Sequence, residues 1–176
     1  TRNALSQRTI NFRFIPARGT VMHKKAVTDY PIHDHLAHRW SPRAFADRPV
    51  STELLGSLFE AARWAASCYN EQPWRFIVAR REQQDEYKTL MSCLMEGNQG
   101  WAMSAPVLGL GLAKKTFSLN GKPNRFFHHD LGLATAGLMT QATAHGLHVH
   151  AMGGIYRERA VEVYTVRDDF VVLNGF

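Results

Sequence analysis

Three short segments of the sequence carry residues whose types and spacing suit ligand binding. The first is RWSPR over 39–43, which places two arginines around a serine shortly before an expected helix. Arginine can bind a phosphate group through two parallel hydrogen bonds, and serine adds a hydroxyl donor. The alternative for so short a segment is a solvated turn whose arginines have no ligand.

The second and third segments suit a flat ligand. SCYNEQPW over 67–74 is a polar loop, and the amides of Asn70 and Gln72 offer the paired donor and acceptor that match a heterocycle edge, such as the pyrimidine ring of a flavin. AMGGIY over 151–156 contains two adjacent glycines, which allow a close backbone approach to a planar group. The alternatives are a turn whose amides bind their own backbone, and a simple tight turn.

Taken together, in this order and spacing, the segments resemble the FMN-dependent nitroreductase family. The resemblance covers about 29–173 and also includes EGNQGWAMSAPV and HHDLGLATAGLMTQATAHGL. Its most specific part is SxNxQPW after a helix, with RxSxR upstream. The resemblance implies an α+β fold in which helices flank a central mixed, mainly antiparallel sheet. It also implies an intertwined homodimer with two FMN sites at the interface, each built from both chains.

The resemblance also implies which residues bind FMN. The first segment would hold the phosphate and the edge of the flavin ring, with Trp40 contributing mainly backbone contacts. The 67–72 loop would line the ring, Asn98 lies where the family often has a ring-edge amide, and the paired glycines would present N–H groups near flavin N5. The expected FMN-binding residues are Arg39, Trp40, Ser41, Arg43, Ser67, Cys68, Asn70, Gln72, Asn98, Met152, Gly153 and Gly154.

The activity implied by the resemblance is an NAD(P)H-dependent FMN oxidoreductase of the nitroreductase type. Electrons would pass from NAD(P)H through FMN to nitroaromatic, quinone or similar acceptors by a ping-pong mechanism. The flavin performs the redox step, so no side-chain acid or base is required and the catalytic residues stay unknown. Two alternatives are a flavin-binding member without reductase turnover, and a member that uses reduced flavin for another reaction such as dehalogenation.

Alternating helices and strands must position these segments. Ser51 is a suitable N-cap for a helix over 52–65, and the apolar run over 106–113 predicts a buried strand rather than a dinucleotide-binding turn. Such an alternation indicates an α/β or α+β domain around one sheet. The other predicted elements are a strand over 74–79, a helix over 82–96, a helix over 129–145, a strand over 148–151, a helix over 157–165 and the start of a strand at 170–173.

Composition and charge exclude several classes of protein. Of the 21 basic residues, six lie in 1–28, which contains no acid, and the other 15 are matched by 15 acidic residues. The net charge of +6 is therefore no evidence for a nucleic-acid-binding face. The apolar runs are shorter than the roughly 20 residues of a membrane helix. We expect a cytoplasmic protein whose partners are a second copy and a small-molecule electron acceptor, with neither nucleic acid nor membrane.

The domain boundaries follow from the same patterns. We expect a basic leader over 1–28, disordered or not native, with Met22 as the natural start; a mitochondrial transit peptide is the alternative. The nitroreductase-like domain would cover 29–176 and be truncated, because the family usually continues with a late Lys or Arg that reaches the phosphate. Either the chain is a fragment, or the site works without those contacts. The clustered histidines lack Cys or acidic partners at supporting spacing, so no metal site is expected.

Overall fold

The computed structural model describes residues 24–176, so the expected leader lies outside the described residues except for 24–28, which are exposed and form no helix or strand. No helix of the described part is long and apolar enough to cross a membrane. The elements in chain order are α1 (Asp34–Ala37), α2 (Thr52–Arg63), β1 (Trp74–Arg80), α3 (Gln84–Met91), α4 (Glu96–Ala102), β2 (Val107–Lys114), α5 (Phe127–Ala144), α6 (Arg157–Tyr164) and β3 (Phe170–Gly175).

The sheet has the strand order β1-β2-β3, and both pairings are antiparallel. Trp74 at the start of β1 faces Ala113 near the end of β2, and Arg80 faces Val107. β3 pairs over its whole length with β2, with a register shift between Gly111 and Leu112. Together with the flanking helices, this sheet gives the expected α+β fold.

The alternation of side chains along β2 separates two apolar cores. Leu108, Leu110 and Leu112 point into one core, which includes Leu90 of α3 and Leu94. The opposite face is built from small residues, so α5 can pack close to the backbone of β2. A Cβ at Gly111 would lie 3.4 Å from Leu131 of α5, and Ala113 belongs to the core formed by Leu58, Leu131 and Leu138.

Two predicted elements were wrong. The helix predicted over 82–96 ends at Met91 and a second one begins only at Glu96, because Leu94 leaves the helical path and pairs with Ile155. The predicted strand over 148–151 is irregular, and only the neighbouring Met152 forms an isolated bridge, to Gly175. In both places a tertiary contact takes the backbone groups that the local pattern assigned to regular structure.

The predicted start of α2 and the helical character of α5 are confirmed, whereas α2 ends at Arg63, two residues earlier than predicted. Ser51 caps α2 by accepting a hydrogen bond from Leu54 N at 3.2 Å. α5 begins two residues earlier than predicted and ends before Gly146, whose φ is +68°. A left-handed glycine is the usual residue just past a helix end.

The contact between α2 and α5 predicts opposite effects for two Gly→Ala substitutions. A Cβ at Gly137 would lie 2.9 Å from the carbonyl oxygen of Ala61, whereas a Cβ at Gly56 of α2 meets nothing within 4 Å. We expect Gly137→Ala to lower the free energy of unfolding by roughly 1 kcal/mol net of its better helix propensity. Gly56→Ala should raise it by about 0.5–1 kcal/mol. Urea titrations measure both, and equal effects would contradict the proposed steric limit between the helices.

Candidate active site

The RWSPR segment lies at the surface with its cationic side chains available. Ser41 and Arg43 are exposed, Arg39 is half-buried, and Arg39 Nη1 lies 3.5 Å from Ser41 Oγ. Among the ion pairs of residues 24–176, none involves Arg39 or Arg43. Two guanidinium groups beside a hydroxyl, without a carboxylate partner in the described part, form a donor set that suits a phosphate.

The backbone of this segment is fixed by side chains from distant elements. In the described part of the chain, residues 40–44 form no backbone–backbone hydrogen bond. Instead, His150 Nδ1 lies 2.8 Å from the carbonyl oxygen of Pro42, and Ser104 Oγ accepts from Phe45 N at 3.3 Å. The ring of His150 in turn stacks on Trp101, with centroids 4.3 Å apart.

The paired glycines lie on the same side of the fold as this segment. Asn98 Nδ2 donates to the carbonyl oxygen of Gly154 at 2.9 Å, and Met95 N donates to the same oxygen at 3.0 Å. A Cβ at Gly154 would lie 2.6 Å from Asn98 Nδ2, so this contact requires glycine. Within residues 24–176, the N–H groups of Gly153 and Gly154 donate to no protein acceptor.

A hydrogen bond between two side chains closes the exposed edge of the glycine segment. The Tyr156 hydroxyl donates to Glu96 Oε2. This bond lowers the pKa of the Glu96 carboxyl, because it stabilises the anion, and it raises the pKa of Tyr156. The pair joins α4 to the residue that follows the glycines, beside the contact made by Asn98.

The 67–72 loop is held in an unusual backbone conformation. Tyr69, Asn70 and Gln72 have φ values of 53°, 55° and 49°, in the left-handed region that non-glycine residues rarely adopt. Each such residue costs about 1–2 kcal/mol, less for Asn than for the others. The loop compensates internally: Gln72 N donates to Ser67 Oγ at 3.0 Å, and Gln72 Nε2 donates to Asn70 Oδ1 at 2.9 Å.

Two acidic side chains anchor the loop to its neighbours. Cys68 N donates to Asp130 Oδ2 at 3.1 Å, and Asp130 is only 1% exposed in the first turn of α5. The N-terminus of a helix favours a negative charge at that place. On the other side, Glu71 Oε1 accepts from the backbone N and the hydroxyl of Ser118 at 2.8 and 2.6 Å.

A cavity of about 810 Å³ lies beside the RWSPR segment. Its size falls within the range typical of small-molecule sites, and its walls are largely apolar and aromatic. Three expected FMN-binding residues line it, whereas no residue of the 67–72 loop does. The principal lining side chains are Trp40, Arg43, Phe45, Phe59, Trp101, His150, Met152 and Phe176.

The expected site residues therefore form two groups at opposite ends of α5. The loop group is bound to Asp130 in the first turn, whereas the cavity reaches Gly146, just past the last turn. At about 1.5 Å per residue, Asp130 and Gly146 are about 24 Å apart along the helix, and Leu138, midway between them, also lines the cavity. The two ends of β2 are divided in the same way. Its last residue, Lys114, donates to Pro73 O beside the loop, whereas its first residue, Val107, lines the cavity. Within the described part of one chain, no residue of the 67–72 loop therefore reaches the cavity.

Sequence reasoning missed the residues that hold these groups in place. His150 is one of the clustered histidines for which no metal site is expected, and Asp130 is not among the expected FMN-binding residues. Asp130 had a signal, since an acid in the first turn of an otherwise apolar helix is a common N-terminal feature. The contact of His150 with Pro42 spans 108 residues of sequence, so no local pattern indicates it. Within residues 24–176, no three His, Cys, Asp or Glu side chains are grouped so as to hold a metal.

Comparison with known proteins identifies the family. A model of the nitroreductase family matches residues 36–173, which is most of the chain. The chain belongs to the nitroreductase family. Among solved structures, an oxidoreductase described as containing FMN superposes on this nitroreductase-family chain with a TM-score of 0.81 and 39% identity. The match covers 89% of this chain and 79% of that one.

Two further relatives support the same assignment. A nitroreductase family protein of Clostridium difficile 630 has a TM-score of 0.65 at 26% identity, covering 78% of this chain and 76% of its own. A nitrobenzene nitroreductase of Ectopseudomonas oleovorans is 38% identical over 58 residues, which is 33% of this chain and 26% of that protein. The matched segment spans 32% of the length of the first curated relatives.

The buried carboxylate of Asp130 predicts a measurable contribution to stability. In Asp130→Ala the N–H of Cys68 loses its acceptor, which should lower the free energy of unfolding by about 1–3 kcal/mol. Asp130→Asn keeps one acceptor oxygen and should lose less. The control is Asp168→Ala, an exposed position expected to change stability by less than about 0.5 kcal/mol. Guanidinium titration of the three variants checks this, and equal losses for Ala and Asn would contradict the role of the acceptor.

Proposed function

We propose that this nitroreductase-family chain binds FMN and passes electrons from NAD(P)H to small electron-poor acceptors such as nitroaromatics or quinones. The observation that carries the proposal is a contact between two segments 108 residues apart in sequence. It joins a cationic, serine-bearing segment to the segment that ends in paired glycines, beside an apolar cavity. The relative that is described as containing FMN supports the same cofactor.

The phosphate end of the proposed site fits a dianion. Arg39, Ser41 and Arg43 offer two guanidinium groups and a hydroxyl, and neither arginine has an acidic partner in residues 24–176. Removing a guanidinium from an existing ion pair would cost interaction energy, and here no such pair has to be broken. A phosphate monoester would therefore gain charge-assisted hydrogen bonds directly.

The ring end of the proposed site fits a flat, polar-edged group. The N–H groups of Gly153 and Gly154 have no protein acceptor in the described part, so they are available to a ligand. Gly153 has no neighbour within 4 Å of the place of a Cβ, and Asn98 fixes the orientation of Gly154 through its carbonyl. The amides of Asn70 and Gln72, held in a strained loop, would supply the other edge.

We infer that the complete site is shared between two chains. The loop that carries Asn70 and Gln72 is bound to the first turn of α5, and none of its residues lines the cavity, so we expect a second copy to bring its own loop to the first copy's glycines. Large apolar side chains are exposed at the loop end of the molecule: Trp64 is 76% exposed and Tyr69 is 90% exposed. Buried in a dimer, these side chains would add apolar contact area at the interface.

Bound FMN supplies the hydride-accepting and electron-donating chemistry, and the protein's residues bind it, orient it and limit access of water. In the proposed ping-pong order, NAD(P)H and the acceptor occupy the same face in turn. The apolar cavity beside Met152 favours an acceptor with a large apolar surface. A flavin-binding role without turnover, or another reaction of the reduced flavin, is distinguished from reductase activity by the experiment below.

The first test is the visible absorption spectrum of the purified chain with added FMN. We expect bound flavin bands that bleach under anaerobic NADH or NADPH and return when a quinone or nitroaromatic is added. Flavin bands that resist both nicotinamides would indicate binding without reductase turnover. A chain that takes up no FMN would contradict the proposed cofactor.

The shared site predicts complementation between two inactive variants. Variant one carries Arg39→Ala and Arg43→Ala, and variant two carries Asn70→Ala and Gln72→Ala. Random mixing of subunits yields mixed dimers with one intact and one doubly defective site, so about a quarter of the wild-type FMN sites should be restored. Flavin binding and NAD(P)H oxidation are measured before and after unfolding and refolding the mixture.

The control for complementation is each variant refolded alone, which should regain no FMN binding. A mixture that stays as inactive as the separate variants, while size-exclusion chromatography shows dimers, would mean that the two groups serve one chain. The two-chain site would then be wrong, although FMN binding by the wild type would still stand.

A further inference from the structure

We propose that His150 is a positioning residue that sets the discrimination between FMN and the unphosphorylated flavin. The inference rests on the proposed FMN site and assigns a role to a residue that touches neither arginine directly. The ring of His150 joins the RWSPR backbone to the segment that carries the paired glycines, and it does so at a single atom pair, Nδ1 of His150 and the carbonyl oxygen of Pro42.

The contact defines the tautomer of the imidazole. A carbonyl oxygen only accepts hydrogen bonds, so Nδ1 of His150 must carry the proton across the 2.8 Å contact. The stack on Trp101, with an interplanar angle of 28°, fixes the plane of the ring. Trp101 of α4 therefore sets the direction in which His150 Nδ1 donates. The same helix carries Asn98, which bonds to the carbonyl oxygen of Gly154.

Besides the bond from His150, few hydrogen bonds restrain the RWSPR segment in the described part of the chain. Pro42 is buried between two exposed residues, Ser41 and Arg43, and within residues 24–176 the backbone of 40–44 bonds to no other backbone group. Without the Pro42 contact, the segment would keep the burial of Pro42, the bond of Phe45 N to Ser104 and the packing of Trp40 against His148. This loss would misplace the groups for the phosphate, whereas Gly154 would keep its bond to Asn98 of α4 and the neighbouring Met152 would keep its bridge to Gly175 of β3.

The geometry therefore separates two effects of a substitution at His150. Weaker positioning of Ser41 and Arg43 lowers the affinity for FMN, which carries the phosphate, and leaves the affinity for riboflavin, which lacks it, nearly unchanged. A residue that only filled space would weaken both ligands by similar factors, because the whole wall of the cavity would shift. The ratio of the two dissociation constants is the readout that tells these roles apart.

Two matched variants separate the donor from the ring. In His150→Asn, the side-chain Nδ2 takes the place of Nδ1 and can donate to Pro42, but the ring that stacks on Trp101 is lost. In His150→Phe, an aromatic ring is kept and the donor is lost. The control is His145→Phe, an exposed residue at the end of α5 that contacts Gln141 and neither segment of the site.

Flavin fluorescence titrations of the full chain with FMN and with riboflavin measure the effect. We expect His150→Phe to weaken FMN binding about tenfold and riboflavin binding less than about twofold. His150→Asn should stay within about threefold of wild type for both ligands. His145→Phe should match wild type. Circular dichroism and thermal melting establish that each variant is folded, and His150→Ala, which also lacks the donor, carries the test if His150→Phe does not fold.

Equal weakening of FMN and riboflavin by His150→Phe, or no weakening of either, would overturn the positioning role. A tenfold loss in His150→Asn that matches the loss in His150→Phe would also overturn it, because the donor would then be irrelevant. If the wild type bound neither flavin, the proposed function itself would fall. That outcome is distinguishable, because it is seen before any variant is compared.

Discussion

The close packing of α5 on small residues determines where every part of the candidate site lies. On one side α5 meets Gly111 and Ala113 of β2, and on the other Gly137 approaches the carbonyl of Ala61 in α2. Larger side chains at these places would move the helix away from the sheet and open the core around Leu131 and Leu138. α5 is thus a rigid spacer, which keeps the 67–72 loop at its first turn and the segment after Gly146 a fixed distance apart.

Each end of that spacer has its own means of holding an irregular segment. At the first turn, a buried carboxylate accepts from Cys68 N and supports a loop with three left-handed residues. Past the last turn, the chain after Gly146 leads to a histidine that holds the RWSPR backbone from a distance. In both cases the candidate binding groups lie on irregular backbone, and contacts with other parts of the fold fix the conformation of this backbone.

Secondary structure could be predicted from the sequence where its signal is local, as with a helix cap or an apolar run. The family and candidate site residues could be predicted where a whole motif is distinctive. The cap at Ser51 located the start of α2, and the apolar run ending at Ala113 located β2. Motif order supplied the family and the candidate site residues. Pairing of Leu94 with Ile155 broke a predicted helix, and the bond from His150 to Pro42 linked two motifs. Both depend on residues far apart in the chain, which periodicity and capping patterns do not register.

The pairing of β2 with β3 has a consequence for how the chain is made. The ring of Phe176 lies within 2.2 Å of where a Cβ would stand on Gly109, so the last residue of the sequence fills the middle strand's missing side-chain volume. During synthesis, β2 leaves the ribosome well before β3, with one edge unpaired and an apolar face open. Until 170–176 emerge, the central strand is exposed to wrong partners. Lower temperature during expression weakens hydrophobic association, so it should favour recovery of native protein over aggregates.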